Sequence, residues 1–192
     1  MYIDRKPSTI MTVIDRIYHP IAQNLGVSLL LKNKINPEIQ TPPRFFVNLI
    51  QITGNLVANA VKFTPPNGFV NVVFTLNADK DHSTLNVTVT DTGKIISHHL
   101  ASAINQNKQI AKLTDTHTEN GFRTRLKYVM QLVAEENGRI FVESGKDSGT
   151  IFSLSLPLPK IYKNRKNGSH SIVKNGAGAL NVSQSLSSRI RS

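Results

Sequence analysis

Three polar side chains recur at helical spacing in the middle of the chain. Asn55, Asn59 and Lys62 fall within about 60° of one another on a helix of 100° per residue. Carboxamide oxygens are hard ligands that complete the shell of a hydrated Mg²⁺, and a lysine one turn further on can reach phosphates bridged by such a metal. The pattern therefore indicates a metal-phosphate site, although polar residues opposite an apolar stripe are also typical of a solvated helix face.

A second candidate group lies at the ends of two strand-like segments. Asp91 ends one of them and is followed by Thr92 and Gly93. A carboxylate in this position can accept a hydrogen bond from an exocyclic amine such as that of adenine. Thr150 follows Gly149 at the start of the last strand-like segment, and its hydroxyl can support a base through water. The three residues from Asp91 are also typical of a simple turn.

Helical periodicity predicts three main helices that position these residues. The first has Ser8 or Thr9 as its N-cap and ends before Gly26, where a left-handed residue would sit. The second starts at Thr41-Pro42-Pro43, runs to about Phe63 and is broken by Pro65-Pro66. The third ends at Asn137-Gly138. Their predicted buried stripes are Ile10, Val13, Ile14, Ile17, Ile21 and Leu25; Phe46, Leu49, Ile50, Thr53, Val57 and Ala60; and Leu126, Val129, Met130 and Val133.

Alternating apolar and polar residues predict the strands. The predicted strands are residues 27–35, 69–77, 84–90, 139–143 and 150–158, with a weak helix at 96–105 and a polar loop at 106–119. The turn between the last two strands spans residues 145–149. Because helices and strands mix without strict βαβ alternation, we expect an α/β (α+β) fold with helices on one face of a mixed sheet.

The charge is unevenly distributed along the 192 residues. The chain has 23 Lys or Arg and 12 Asp or Glu, a net charge of +11, and residues 160–192 contain seven of the basic residues and no acidic one. This segment is rich in Ser, Asn and Gly and has no sustained apolar period, so we predict a folded domain over residues 1–160 and a basic, disordered tail over 161–192. Its scattered charges and scarce aromatic residues favour a solvated terminus or linker over an arm that binds nucleic acid or anionic lipid.

Several classes of protein and site are excluded by composition. The absence of cysteine rules out disulfides, a thiolate nucleophile and Cys-ligated zinc or iron–sulfur sites. The longest apolar run is interrupted by amides and too polar to span a membrane, and the N-terminus lacks the apolar region of a secretory signal, so we expect a cytoplasmic location. P-loop, dinucleotide-binding, zinc-protease and serine-hydrolase motifs are also absent from the sequence.

Taken together, these motifs resemble a known family. Residues 51–65, which contain Asn55, Asn59, Lys62 and Phe63, resemble the N box of bacterial sensor histidine kinases. These kinases belong to a wider group of ATPases with DNA gyrase, a heat-shock chaperone and a mismatch-repair protein, known as the GHKL or Bergerat-fold group. The sequence from Asp91 to Gly93 resembles the first glycine box. Residues 121–157 are similar to the lid-proximal helix and closing hairpin, so the resemblance covers residues 8–160.

The resemblance implies a two-layer α/β sandwich that binds ATP between the N-box helix and a lid. By position, Asn59 would hold Mg²⁺, Lys62 would contact phosphate, Phe63 would pack near the base, and Asp91 would bind the adenine amine with support from Thr150. The full set of residues assigned to nucleotide binding is Asn55, Asn59, Lys62, Phe63, Asp91, Gly93, Gly121, Arg123, Arg125 and Thr150.

Three positions depart from the family pattern, and a fourth, Asn55, distinguishes the chain from the relatives that hydrolyse ATP and so favours phosphoryl transfer. Asn55 stands where hydrolysing relatives have the glutamate that activates water, and an amide cannot act as that base. Ile95 replaces the second glycine of the first box, while Arg123 and Arg125 replace two of the three lid glycines. Those glycines let backbone N–H groups close on the phosphates. We therefore expect impaired nucleotide binding.

The function expected from the sequence is that of the ATP-binding catalytic domain of a two-component sensor histidine kinase. The reaction would be phosphoryl transfer from MgATP to a histidine on a separate domain, because none of the six histidines matches the family's phosphoacceptor helix. The implied partners are dimerisation and phosphoacceptor helices and a response regulator, and the domain could form part of a membrane-anchored sensor. A regulatory module of the same fold that does not use ATP is the alternative.

Overall fold

The structure, a computed structural model, describes residues 4–37, 39–78, 82–106, 120–145 and 149–158, except the side chains of residues 120, 121 and 123. Within these ranges the chain forms four helices and five strands. In chain order they are α1 (Pro7–Asn24), β1 (Ser28–Asn33), α2 (Pro43–Phe63), β2 (Phe69–Ala78), β3 (Ser83–Asp91), α3 (His98–Asn105), α4 (Asn120–Glu135), β4 (Arg139–Ser144) and β5 (Thr150–Leu158). Each corresponds to an element predicted from the sequence.

The five strands form one mixed sheet in the order β1-β2-β3-β5-β4. Strands β1 and β2 are parallel, and the other three neighbouring pairs are antiparallel. The register places Asp91 opposite Val70 on one side and opposite Thr150 on the other. Two residues that are far apart in the sequence and were predicted to share a site are therefore paired at one end of the sheet.

One face of the sheet is buried under the helices. Alternate residues of β2, β3 and β5 point to this face, as expected for strands with one buried side. These buried residues are Val70, Val72, Phe74, Leu85, Val87, Val89, Phe152, Leu154 and Leu156. The helices supply the remainder of a single core, so the prediction of helices on one face of a mixed sheet is confirmed.

Helix α2 is the central helix of this layer and carries the polar residues at helical spacing. It begins at Pro43, where a missing N–H is tolerated, and its last turn is closed by Thr64, whose N–H and hydroxyl both donate to the Ala60 carbonyl oxygen. Because α1 packs on one side of α2 and α4 on the other, even polar residues such as Thr53 and Asn59 are buried.

Helix α1 departs from the prediction at both ends. It begins at Pro7, and its N-cap is Lys6 without a side-chain cap, so the prediction of Ser8 or Thr9 as the cap is wrong. A proline already fits the first helical position, where the N–H would lack a partner. In the last two turns the predicted stripe is exposed, with Ile17, Ile21 and Leu25 each 45–49% exposed, because periodicity does not reveal how far a neighbouring element covers a face.

The helix ends show where left-handed backbone is required. Gly26 has φ +67°, as predicted for the residue after α1. After α4 the left-handed residue is Asn137, with φ 54°, which asparagine tolerates better than most side chains. Gly138 is needed for a different reason, since a Cβ there would lie 2.9 Å from the Ser155 carbonyl oxygen. Met130, predicted to be buried, is only partly so.

Polar contacts join α2 to the antiparallel α4 along its length. Arg44 donates to Glu135 at 2.9 Å, Asn48 donates to Glu136 at 2.6 Å, and the Tyr128 hydroxyl donates to Gln51. Between them the two helices bury Leu126, Val129, Leu56 and Val57. These contacts between α2 and α4 fix the position of α4. They therefore also fix the side chains in the first turns of α4 that point towards α2.

Some predictions fall on other parts of the chain. Most of the predicted loop at 106–119, the centre of the turn at 145–149 and the tail at 161–192 lie outside the described residues. The predicted boundary between the domain and tail thus stays a prediction. Among the residues that are described, no helix has the length and apolar character needed to cross a bilayer.

Candidate functional site

A cavity of about 240 Å³ opens between α2, the segment that follows β3 and the start of α4. Its walls are mostly apolar, with a few polar groups, which is the usual composition of a small-molecule site. The lining residues are Leu56, Asn59, Ala60, Phe63, Asp91, Lys94, Ile95, Ile96, Ser97, Leu100, Phe122, Thr150 and Phe152. Pockets that enclose a whole drug-sized ligand have volumes from about 300 Å³ upward. The smaller volume of this cavity suits a planar base, and any larger group attached to the base would lie outside it.

Asp91 is the only acidic residue among those that line this cavity, and it is only 8% exposed. Its Oδ1 accepts a hydrogen bond from the Gly93 N–H at 2.8 Å, and the Thr150 N–H donates to the same carboxyl group. A side chain at Gly93 would place its Cβ 2.5 Å from the Phe63 carbonyl oxygen. The turn that orients Asp91 therefore depends on this glycine.

Burial raises the pKa of Asp91 from 3.8 to about 6, since the charged form loses solvation in the cavity. The hydrogen bonds from Gly93 and Thr150 oppose this effect and lower the pKa. The carboxyl group is consequently still mostly ionised at pH 7. As an acceptor at the wall of an apolar cavity, it can bind a planar ligand that carries an amine.

Two aromatic rings form one wall of the cavity. Phe63 at the end of α2 and Phe122 in the first turn of α4 meet edge to face, with centroids 5.5 Å apart. The Lys62 ammonium lies 5.4 Å from the Phe63 ring centroid but is outside the cavity lining. Phe63 thus lines the cavity, whereas Lys62 does not, and the predicted roles of both residues stay predictions.

Asn59 lines the cavity and is only 3% exposed, which excludes the solvated-face interpretation for this residue. Its Oδ1 accepts a hydrogen bond from Arg125 Nη1 at 3.4 Å. A guanidinium and a divalent cation repel each other and compete for the same amide oxygen. In this arrangement the residues therefore do not fit a Mg²⁺ ion bound to Asn59 Oδ1.

The remaining predicted site residues lie around the cavity or outside the described part. The Asn55 Nδ2 donates to the Gln51 carbonyl oxygen of its own helix at 2.7 Å, and Asn55 does not line the cavity. The Thr150 hydroxyl donates to the Lys94 carbonyl oxygen at 3.2 Å and retains acceptor capacity. Gly121 and Arg123 fall in the first turn of α4, and the placement of the Arg123 side chain lies outside the described residues.

Several lining residues were missed by sequence reasoning. Leu56 and Ala60 share a helix face with Asn59 and Phe63, a spacing of three and four residues that would have predicted one common wall. Lys94, Ile96, Ser97 and Leu100 belong to an irregular segment and the start of α3, where no period exists to indicate which side chains turn inward.

Comparison with known proteins places the chain among ATPases. Residues 47–160 match the family described as histidine kinase-, DNA gyrase B-, and HSP90-like ATPase. The chain is 36% identical over 152 residues to the autoinducer 2 sensor kinase/phosphatase LuxQ of Vibrio vulnificus, a match that covers 78% of this chain and 18% of LuxQ. It is 27% identical over 110 residues to the adaptive-response sensory kinase SasA of Synechococcus elongatus, covering 57% of this chain and 27% of SasA. The chain thus spans less than a third of these relatives.

Solved structures agree in fold. The catalytic domain of histidine kinase ThkA, in a nucleotide-free form, superposes with a TM-score of 0.62 at 16% identity, covering 79% of this chain and 92% of that domain. Full-length ShkA in complex with AMPPNP superposes with a TM-score of 0.61 at 22% identity, covering 78% of this chain and 29% of ShkA. At these identities the likeness shows the shared architecture of helices on a mixed sheet.

Proposed function

Because this chain belongs to the histidine kinase-, DNA gyrase B- and HSP90-like ATPases, we propose that it is the ATPase domain of a sensor kinase. We propose further that it binds ATP with the adenine base in the described cavity. The observation that carries the proposal is the Asp91 carboxyl group, buried at the wall of a cavity of about 240 Å³. Adenine has an exocyclic amine that can donate to this carboxylate, and its faces are apolar enough for the other walls.

Besides Asp91, four of the predicted binding residues have proposed roles around the base. Phe63 packs against the base together with Phe122, and Gly93 holds the Asp91 turn in place. Thr150 supports the base through a bridging water, because its hydroxyl can still accept a hydrogen bond. The Lys62 ammonium lies beside the Phe63 ring, and its proposed role is to contact the phosphates that extend from the cavity.

The proposed reaction is transfer of the γ-phosphoryl group to a histidine on a separate domain. Asn55 supports transfer over hydrolysis, because an amide cannot take a proton from water and its Nδ2 is already bonded to the Gln51 carbonyl oxygen. Domains of this family bind ATP with Mg²⁺, but the Arg125 contact with Asn59 oxygen supports weaker MgATP binding in this chain. The acceptor helices and a response regulator are the proposed partners.

A second candidate function, regulation of a partner kinase without use of ATP, is favoured by one specific observation. Arg125 stands at a family glycine position and its side chain contacts Asn59 beside the cavity. If the arginine blocks the approach of the phosphates, the domain would not bind ATP but would keep the surfaces that contact a partner kinase.

Calorimetric titration of ATP into the full chain, with and without Mg²⁺, distinguishes the two functions. We expect saturable binding that weakens by about 10- to 100-fold in Asp91→Asn, because the charged hydrogen bond to the amine is lost. An asparagine also has only one oxygen to offer to two backbone N–H donors. The matched control is Glu143→Gln, which makes the same chemical change at an exposed residue of β4. Absence of saturable binding at millimolar ATP would contradict the proposal and favour the regulatory module.

A further inference from the structure

Arg125 contacts Asn59, which lines the cavity, through its side chain alone. It lies in the second turn of α4, so its own N–H is taken up by the helical hydrogen bonds and cannot point at a ligand. Its side chain instead crosses to α2, where Nη1 donates to Asn59 Oδ1 at 3.4 Å. The same guanidinium lies close enough to the half-buried Tyr18 to lower the pKa of its hydroxyl, although burial has the larger, opposite effect. The positive charge of this exposed arginine thus acts on both Tyr18 of α1 and Asn59 of α2.

Among the described residues, the other end of the Asn59 amide has no hydrogen-bond partner. Asn59 is only 3% exposed, and its Nδ2 is buried without a partner among the described residues. Because Arg125 engages the oxygen, the group that remains for a ligand is the NH₂, which donates hydrogen bonds and cannot coordinate a metal. An unsatisfied buried donor at a cavity wall indicates a ligand that brings an acceptor.

The charges around this position also suit an anion. Lys94 lines the cavity, and the Lys62 ammonium lies 5.4 Å from the ring centroid of Phe63, which also lines it. Asp91 is the only acid among the lining residues, and it is occupied by the base in the proposed complex. Phosphate oxygens are strong acceptors and pair especially well with guanidinium groups.

We propose that Arg125 takes the place of Mg²⁺ in this domain, so that the phosphates of an adenine nucleotide bind without metal, through the Arg125 guanidinium and Asn59 Nδ2. The inference rests on the proposed function, since it concerns the phosphates of the nucleotide whose base contacts Asp91. The Arg125 guanidinium would then neutralise the negative charge of the phosphates, which a divalent cation otherwise neutralises.

The test is ATP affinity in EDTA and in excess Mg²⁺, measured by calorimetry on the full chain and on Arg125→Gly. In the unmodified chain the two dissociation constants should agree within about threefold, because the site does not use metal. Arg125→Gly restores the family residue and frees Asn59 Oδ1 for the metal, so its affinity in EDTA should fall at least about tenfold below its affinity in Mg²⁺. Lys127→Gly is the matched control, since it removes an exposed cation from the same helix and should keep the metal-independent pattern.

Other outcomes separate this inference from the proposed function. If the unmodified chain binds ATP only with Mg²⁺, the inference is overturned while the ATP site stands. If Arg125→Gly binds equally well in both buffers, Arg125 does not replace the metal. Absence of binding by the unmodified chain in either buffer contradicts both proposals. Arg125→Gln, which retains a good helix former and loses only the charge, repeats the comparison if the glycine variant does not fold.

Discussion

Asp91 should make the unliganded protein less stable as the pH rises. Burial raises its pKa from 3.8 to about 6, so between these values the folded state binds more protons than the unfolded state. The resulting stabilisation is fully present below about pH 4 and is lost as the pH rises through 6. The pKa difference corresponds to at most about 3 kcal/mol. Because water reaches the group through the cavity mouth, we expect about 1–2 kcal/mol.

Urea unfolding of the unmodified chain and of Asp91→Asn at pH 4.5 and pH 7.5 measures this effect. The asparagine does not titrate, so the variant's free energy of unfolding relative to the unmodified chain should increase by about 1–2 kcal/mol between the two pH values. Glu143→Gln controls for the loss of a carboxylate at an exposed position. The difference between its free energy of unfolding and that of the unmodified chain should change little between the two pH values. If the Asp91→Asn difference is flat or decreases with pH, the carboxyl group is not desolvated as described.

Three further substitutions test the packing that positions the site. Gly93→Ala should destabilise the fold by about 1–3 kcal/mol and abolish ATP binding, because the added Cβ would lie 2.5 Å from the Phe63 carbonyl oxygen. A melting temperature equal to that of the unmodified chain would contradict this expectation. Asn48→Ala removes the 2.6 Å hydrogen bond to the largely buried Glu136 and should reduce the free energy of unfolding by about 1–3 kcal/mol in urea. Arg44→Ala removes a mostly exposed ion pair between the same two helices and should lower the free energy of unfolding by less than about 1 kcal/mol. If both variants lose the same free energy of unfolding, the burial of Glu136 does not strengthen its hydrogen bond to Asn48.

The strands and α2 could be predicted because strong local signals mark them. Apolar residues alternate through β2, β3 and β5 and are buried at every second position, and the proline pairs around α2 leave little freedom in its ends. The end of α1 could not be predicted in the same way. Ile17 and Ile21 repeat at helical spacing, yet they are exposed, because burial depends on which neighbouring element lies over them.

The candidate site was predictable where side chains belong to regular elements. Asn59, Phe63, Asp91 and Thr150 line one cavity, and the pairing of β3 with β5 explains why the last two are adjacent. What could not be predicted is tertiary contact across elements. The sequence shows an arginine at position 125, but its hydrogen bond to Asn59 depends on the separation and rotation of α2 and α4.

The apolar cavity and its single acid also have an energetic consequence. The desolvated Asp91 carboxylate destabilises the fold at neutral pH, and the Asn59 Nδ2 lacks a partner within the part of the chain that the structure describes. A nucleotide that donates to the first group and accepts from the second would relieve both. We therefore expect ligand binding to stabilise the domain beyond the contribution of buried apolar area alone.

The adenine contact of Asp91 is tested most directly by comparing the affinities of ATP and inosine triphosphate for the full chain. The two nucleotides have identical phosphates, but inosine carries a carbonyl oxygen where adenine carries the amine. We expect ATP to bind at least about tenfold more tightly, since the carboxylate would otherwise face another acceptor, and we expect Asp91→Asn to lose this preference. Equal affinities of the unmodified chain for the two nucleotides would contradict the account.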